Sequence, residues 1–311
     1  MVTITRILCP IDFSEFSRHA LIRASAIAKA HGASITAVHI VPLQPRFSGT
    51  PLEFALPVAF ELTAVQREHL HRELAEFVRS ATGSTPIDTE VAEAPTVHGE
   101  ILAQAARLHA DLIVMGTHGR SGFERLLLGS ITEKVLRTAL QPVLTVGALT
   151  EDDRDASSFA RVVCAIDFSK CSIAGLHYAL ALAEGSGARV TAVNVMEWPP
   201  AAYDPLIGPP TDLVGYHMSA EAAARKRLHE IVVDAGAKGV EVEEIVTSGK
   251  PHHEILKVAE TYGSDLIVLG IHGRNPVDRM LFGSTAEPLV RRATCPVLTV
   301  RAGFAAKMAA A

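Results

Sequence analysis

Two short stretches of this sequence hold the residue types and spacing suited to gripping an anion. Gly116-Thr-His-Gly119 is followed, nine residues later, by Gly129-Ser130, and Gly270-Ile-His-Gly273 is followed at the same interval by Gly283-Ser284. Glycines at a strand end let the backbone approach a ligand closely, and the amides opening the next helix attract negative charge. Such a loop is a candidate phosphate cradle. Ser130-Ile-Thr-Glu133 and Ser284-Thr-Ala-Glu287 also read as capping boxes, so each serine has a structural role open to it. His118 and His272 lie inside the glycine loops, where contact with a phosphate or sugar and packing within the turn are both open. Arg120 and Arg274 follow the second glycine and could add charge to a phosphate or simply be solvated.

A second constellation is Cys9-Pro-Ile-Asp-Phe-Ser14, repeated as Cys164-Ala-Ile-Asp-Phe-Ser169. Asp12 and Asp167 fall at the carboxyl end of a strand, where a carboxylate can accept hydrogen bonds from sugar hydroxyls or cap the next helix. The serines have no sequence-evident histidine to activate them as nucleophiles. Gly249-Lys250 lacks the upstream glycine of a P-loop and is followed by Pro251, so it reads as a strand-to-helix turn. Gly185-Ser-Gly187 follows a helix and reads as its C-cap. The His69/His71 and His252/His253 pairs lack the partners of a zinc site, and no metal ligand set is expected.

These stretches must be carried by elements, and the elements come twice. The Asp-Phe-Ser segments recur at an offset of 155 residues, and the stretch Asp111 to Val146 recurs from Asp265 at an offset of 154. About 20 of those 36 aligned positions are identical, beyond what shared composition gives. Residues 1–148 and 161–301 read as two copies of one domain, joined by an acidic, serine-rich linker at 149–160 and followed by a tail at 302–311.

Within the first copy, β-branched runs predict strands at Arg6 to Ile11, Ile35 to Val41, Ile87 to Val91, Leu112 to Gly116 and Val143 to Val146. Helical periodicity predicts helices at Phe16 to Ala30, Val58 to Ser80, Val97 to Leu108 and Ile131 to Thr138. Alternating strands and helices imply two doubly wound, five-stranded parallel-sheet, Rossmann-like α/β domains in tandem. Ligands bind such sheets beyond the strands' carboxyl ends, where strand order reverses. The site is therefore expected just after the first and fourth strands.

The chain's 311 residues, 48% hydrophobic, can bury two such cores, and its formal charge of −5 argues against a broad nucleic-acid or anionic-membrane footprint. No apolar run reaches the roughly 20 residues of a membrane span, and no signal peptide opens the chain, so the cytoplasm is the expected location. Cys9 and Cys164, in apolar strand-like runs, read as buried thiols.

The glycine loops, the Asp-Phe-Ser turns and the closing Pro-Val-Leu-Thr-Val strands together resemble the universal stress proteins over nearly the whole chain. The ATP-binding members of that family carry Gly-x-x-Gly, nine residues, then Gly-Ser or Gly-Thr, and both copies fit without a gap. The resemblance implies ATP in one or both domains, with Mg2+ held through its phosphates. It places the ribose or adenosine end at Asp12 and Asp167 and the adenine at the backbone of Ile40 and Val195. Around these it implies nucleotide contacts at Pro10, Ile11, Met115, Gly116, His118, Gly119, Arg120, Gly129, Ser130, Ile131 and Thr132. In the second copy they fall at Ala165, Ile166, Leu269, Gly270, His272, Gly273, Arg274, Gly283, Ser284 and Thr285.

The implied role is a stress-response binding module, with slow ATP hydrolysis or nucleotide-independent protein binding as alternatives. No catalytic residue is assigned. The last strands of such domains pair between subunits, which implies an internal pseudo-dimer and leaves homodimerisation and an unknown protein partner open. Pro276 and Pro288 mark the second copy as different in its loop and helix start, so the two sites are expected to differ in affinity. The proline-rich segments Pro42 to Pro57 and Trp198 to Thr211 diverge between copies and follow the second strands.

Overall fold

A computed structural model of the chain describes residues 2–43, 45–47, 57–59, 61–83, 85–119, 128–148, 159–184, 187–197, 213–237, 239–271 and 283–301. Two compact units are built principally on residues 4–141 and 156–311.

The first copy contains β1 (Arg6–Pro10), α1 (Glu15–His31), β2 (Ser34–Pro42), β3 (Pro45–Phe47), β4 (Pro57–Ala59) and α2 (Ala64–Thr82). It continues with β5 (Asp88–Ala94), α3 (Val97–Arg107), β6 (Leu112–Gly116), α4 (Ser130–Thr138) and β7 (Val143–Val146). Its main-sheet strands lie in the order β5-β2-β1-β6-β7, with β1 parallel to both β2 and β6, and β2 parallel to β5. The second copy contains β8 (Arg161–Ala165), α5 (Lys170–Ala183), β9 (Arg189–Met196), α6 (Leu213–Ala235) and β10 (Glu241–Ser248). It ends with α7 (Pro251–Thr261), β11 (Leu266–Ile271), α8 (Ala286–Arg292) and β12 (Val297–Arg301), in the order β10-β9-β8-β11-β12. Both copies are doubly wound α/β sheets.

In each copy the chain moves outward from the first strand, then crosses to its other side to lay down the fourth. The switch point therefore falls between β1 and β6, and between β8 and β11. Central strands between two helical layers are apolar on both faces, and all five residues of β6 are buried. At the opposite end of the sheet, Asp111 Oδ2 accepts from the Thr5 and Arg6 amides at 2.9 and 3.0 Å, joining the starts of β1 and β6. Asp265 does the same for Ala160 and Arg161 at 2.7 and 3.0 Å. The aspartate opening each Asp-Leu-Ile-Val run thus stands at the amino ends of the strands, opposite the glycine loops.

Two expectations need correction. The second helix starts at Ala64 rather than Val58, because Thr63 and Gln66 form a reciprocal capping box that fixes its first turn. Strand β3, within the Pro42 to Pro57 segment, pairs antiparallel with β4, which begins at the segment's last residue. Helix α4 starts at Ser130 rather than Ile131, with Gly129 and not Ser130 at its N-cap. Trp198 to Thr211 and residues 302–311 lie outside the described residues.

Candidate functional site

Asp12 follows β1 in a turn that the sequence builds locally. Phe13 adopts a left-handed φ of 62°, and Phe168 repeats it at 63°, turning the chain sharply out of the strand. Asp12 Oδ1 accepts from the Ser14 amide at 3.1 Å and its hydroxyl at 2.5 Å. Ser14 is the N-cap of α1, its oxygen accepting from Ser17 N at 3.1 Å. The capping role open to Asp12 is therefore taken by Ser14, and one carboxylate oxygen holds the turn while Oδ2 faces Gly119. A Cβ on Gly119 would stand 2.8 Å from Oδ2. Asp167 repeats the turn, accepting from Ser169 N at 3.0 Å, with Ser169 as the N-cap of α5.

The glycines of the loop do different jobs. Gly116 does not have a positive φ; a Cβ there would lie 2.8 to 3.0 Å from Phe16 Cβ, C and O, so this glycine lets α1 pack against β6. Gly270 meets Cys171 and Ser172 in the same way. The first glycine of each motif thus serves close helix packing. At Gly129 a Cβ would come within 3.1 Å of the Thr117 carbonyl, which accepts from Gly129 N at 2.8 Å.

The N-cap of α4 is Gly129, which makes no side-chain cap, so the capping box read at Ser130 does not form. The amides of Ser130, Ile131 and Thr132, in the first turn, have no intrahelical acceptor and open the helix beside the cleft. Ser130 is exposed, whereas the buried Thr132 hydroxyl donates to the Gly116 carbonyl at 2.8 Å and fastens the helix start to the strand end. His118 packs on Phe16 with ring centroids 5.0 Å apart, and its Nδ1 lies 2.9 Å from the Thr117 hydroxyl. Its Nε2 is buried without a hydrogen-bond partner.

All the described first-copy candidates line one cleft of about 290 Å³: Pro10, Ile11, Asp12, Ile40, Met115, Gly116, His118, Gly119, Gly129, Ser130, Ile131 and Thr132. Ala165, Ile166, Asp167, Val195, Leu269, Gly270, Gly283, Ser284 and Thr285 line a corresponding cleft of about 330 Å³ in the second copy. Arg120, His272, Gly273 and Arg274 lie outside the described residues. The clefts also take in residues that the motifs do not include. Val97 and Ile101 of α3, and Pro251 and Ile255 of α7, put an apolar wall opposite the strand ends. Val38, His39 and Ser17 join the first cleft; Val193, Ser172, Ile271, Ala286 and Glu197 join the second. The apolar pair recurs at the same offset as the glycine loops, so the repeat itself carried a signal for it.

Ile40 owes its place to strand geometry. The Val38 carbonyl accepts from Ile11 N at 2.8 Å, so the polar groups of Val38 face β1. Two residues on, those of Ile40 face the same way, beyond Pro10 where β1 has ended. Val195 stands likewise beyond Val193, whose carbonyl accepts from Ile166 N at 2.8 Å. Beneath the clefts, Cys9 and Cys164 are fully buried, and burial pushes both thiols far above their ordinary range. No group of three or more potential metal ligands occurs among the described residues.

The second cleft differs at its anion end. Thr117 is replaced by Ile271 and Thr132 by Ala286, removing both hydroxyls. Gly283 takes a positive φ of 86°, Ser284 and Thr285 form a turn, and α8 begins only at Ala286. Pro288 lies in its first turn and contributes no amide.

A family model described as the universal stress protein family matches residues 3–147 and again residues 158–301. A universal stress protein of Methanocaldococcus jannaschii is 36% identical over 141 residues, spanning 45% of this chain and 81% of that protein. Another, from Mycolicibacterium smegmatis, is 27% identical over 300 residues, covering 95% of this chain and 96% of its own length. Among solved structures, a universal stress protein from Archaeoglobus fulgidus superposes with a TM-score of 0.65 at 26% identity, over 96% of this chain and 97% of its own.

Proposed function

Because the chain belongs to the universal stress protein family and carries its domain twice, we propose that it is a binding module for ATP in a stress response, with the first copy as the better-formed site. The observation that carries the reading is the convergence, on one cleft at the strand switch point, of groups matched to the parts of a nucleotide. The uncapped amides of Ser130, Ile131 and Thr132 suit phosphate oxygens, and the absence of a side chain at Gly119 keeps the approach to Asp12 open. Asp12 Oδ2 suits ribose hydroxyls. The outward N–H and C=O of Ile40 suit an adenine edge, with Val97 and Ile101 flanking the base.

A phosphate chain supplies the negative charge that these donors attract, and Mg2+ would be held through the phosphates rather than by protein carboxylates. In the second copy, Pro288 removes one helix amide, and Ala286 in place of Thr132 leaves a less anchored helix start, so its affinity is the lower. No described helix is long and apolar enough to cross a membrane, and a cytoplasmic location accords with this reading.

The test is to denature freshly purified protein and identify and count the released nucleotide by chromatography with mass detection. Near-stoichiometric ATP or ADP is expected. Its absence, together with no calorimetric heat from added Mg-ATP, would replace this reading with nucleotide-independent protein binding.

A further inference from the structure

The residue just before Ile40 and the one just before Val195 differ in type yet make the same bond. His39 Nδ1 lies 2.8 Å from the Ile11 carbonyl, and Asn194 Nδ2 donates to the Ile166 carbonyl at 2.7 Å. A carbonyl oxygen can only accept, so His39 carries its proton on Nδ1. These carbonyls belong to the residues preceding Asp12 and Asp167, at the point where the first strand ends.

In a parallel ladder continued for one more step, the Ile11 carbonyl would accept from the Ile40 amide. The chain instead leaves the strand through Asp12 and left-handed Phe13, whose ring packs on His39 with centroids 4.6 Å apart. A side chain takes over the carbonyl, and no backbone bond from Ile40 N to Ile11 O forms. The second copy reaches the same result with a carboxamide, which shares with Nδ1–H imidazole only a planar N–H donor at a similar distance from the backbone.

We propose that His39 and Asn194 are positioning residues: each ties down the last carbonyl of the first strand, fixing the aspartate turn and leaving the Ile40 or Val195 amide free for a ligand. The ligand half of this inference rests on the nucleotide reading above; the backbone half does not. The second copy supplies the natural conservative replacement for the first.

The test compares His39→Leu with His39→Asn in the full chain, using Mg-ATP titration calorimetry, thermal melting, and amide hydrogen exchange at Ile40 without ligand. Losing this part-buried side-chain hydrogen bond should weaken the first site about tenfold in His39→Leu. His39→Asn should stay within about threefold of wild type. Without ligand, the Ile40 amide should exchange faster than its β2 neighbours in wild type and His39→Asn. It should become protected in His39→Leu, where the freed Ile11 carbonyl captures it. Equal binding by wild type and His39→Leu, or equal weakening in both variants, would overturn the positioning role. If no protein binds nucleotide, the functional reading fails and the exchange pattern alone decides: an Ile40 amide equally protected in all three proteins would overturn the inference.

Discussion

At the scale of single residues, two glycines of one motif carry different loads and should fail differently. A methyl group on Gly116 must displace the α1 backbone at Phe16, so Gly116→Ala should cost about 1–3 kcal/mol in urea unfolding. A methyl group on Gly119 meets only the Asp12 carboxylate, which can swing aside but then leaves its binding position. Gly119→Ala should therefore melt near wild type while binding Mg-ATP about tenfold more weakly in calorimetry. Cys9 and Cys164 give a separate check. Burial raises both thiols far above their ordinary range, so the reactive thiolate is suppressed. Mass spectrometry should find both unmodified by iodoacetamide at about pH 8 in the native protein and both alkylated once urea exposes them.

At the scale of elements, the starts of the helices separate structure from function. Helix α2 is closed by Thr63 and Gln66, and Thr63→Ala should destabilise the protein by about 1 kcal/mol in urea unfolding. Helix α4 has glycine at its N-cap and no such box, which on the proposed reading leaves its first amides for phosphate. Helix α7 opens instead at Lys250, a cation set against the positive end of the helix dipole, with His252 and His253 in its first turn. Burial first, then the charges of His253, Arg292 and Lys250, lower the His252 pKa below the ordinary imidazole value. The folded state thus favours neutral His252, and the unfolded chain takes up the proton first. Its contribution to stability is present above the unfolded pKa, near 6.5, and is lost as pH falls below it. His252→Asn should show a smaller drop in melting temperature between about pH 7.5 and pH 5.5 than wild type does.

At the scale of the whole molecule, duplication makes each copy a control for the other. The second copy keeps the aspartate turn, the strand-end amide and the apolar wall, but it loses two hydroxyls and one helix amide near the anion end. Mg-ATP titration of the full chain should show one tighter site, removed by Asp12→Ala, and one weaker site, removed by Asp167→Ala. Two sites of equal affinity would contradict the asymmetry derived from Pro288, Ile271 and Ala286.

The repeat, the strand order and most of the cleft were legible in the sequence because they depend on local pattern. β-branched runs make central strands, and the Asp-Phe-Ser turn and glycine loops follow such runs at fixed intervals. Fold class and the sheet end bearing the candidate clefts follow from these alone. What each glycine is for did not follow, since Gly116 answers to Phe16, 100 residues earlier, and Gly119 answers to Asp12. Nor could the capping box at Ser130 be rejected, because its first turn is set by Thr132 reaching back to the Gly116 carbonyl. The pairing of His39 with Ile11, and of Asn194 with Ile166, depends on where one strand stops beside another. Local chemistry determined which residues could serve a ligand. Tertiary packing decided which of them were already occupied, because hydrogen bonds and close contacts between distant segments exist only once the sheet is assembled.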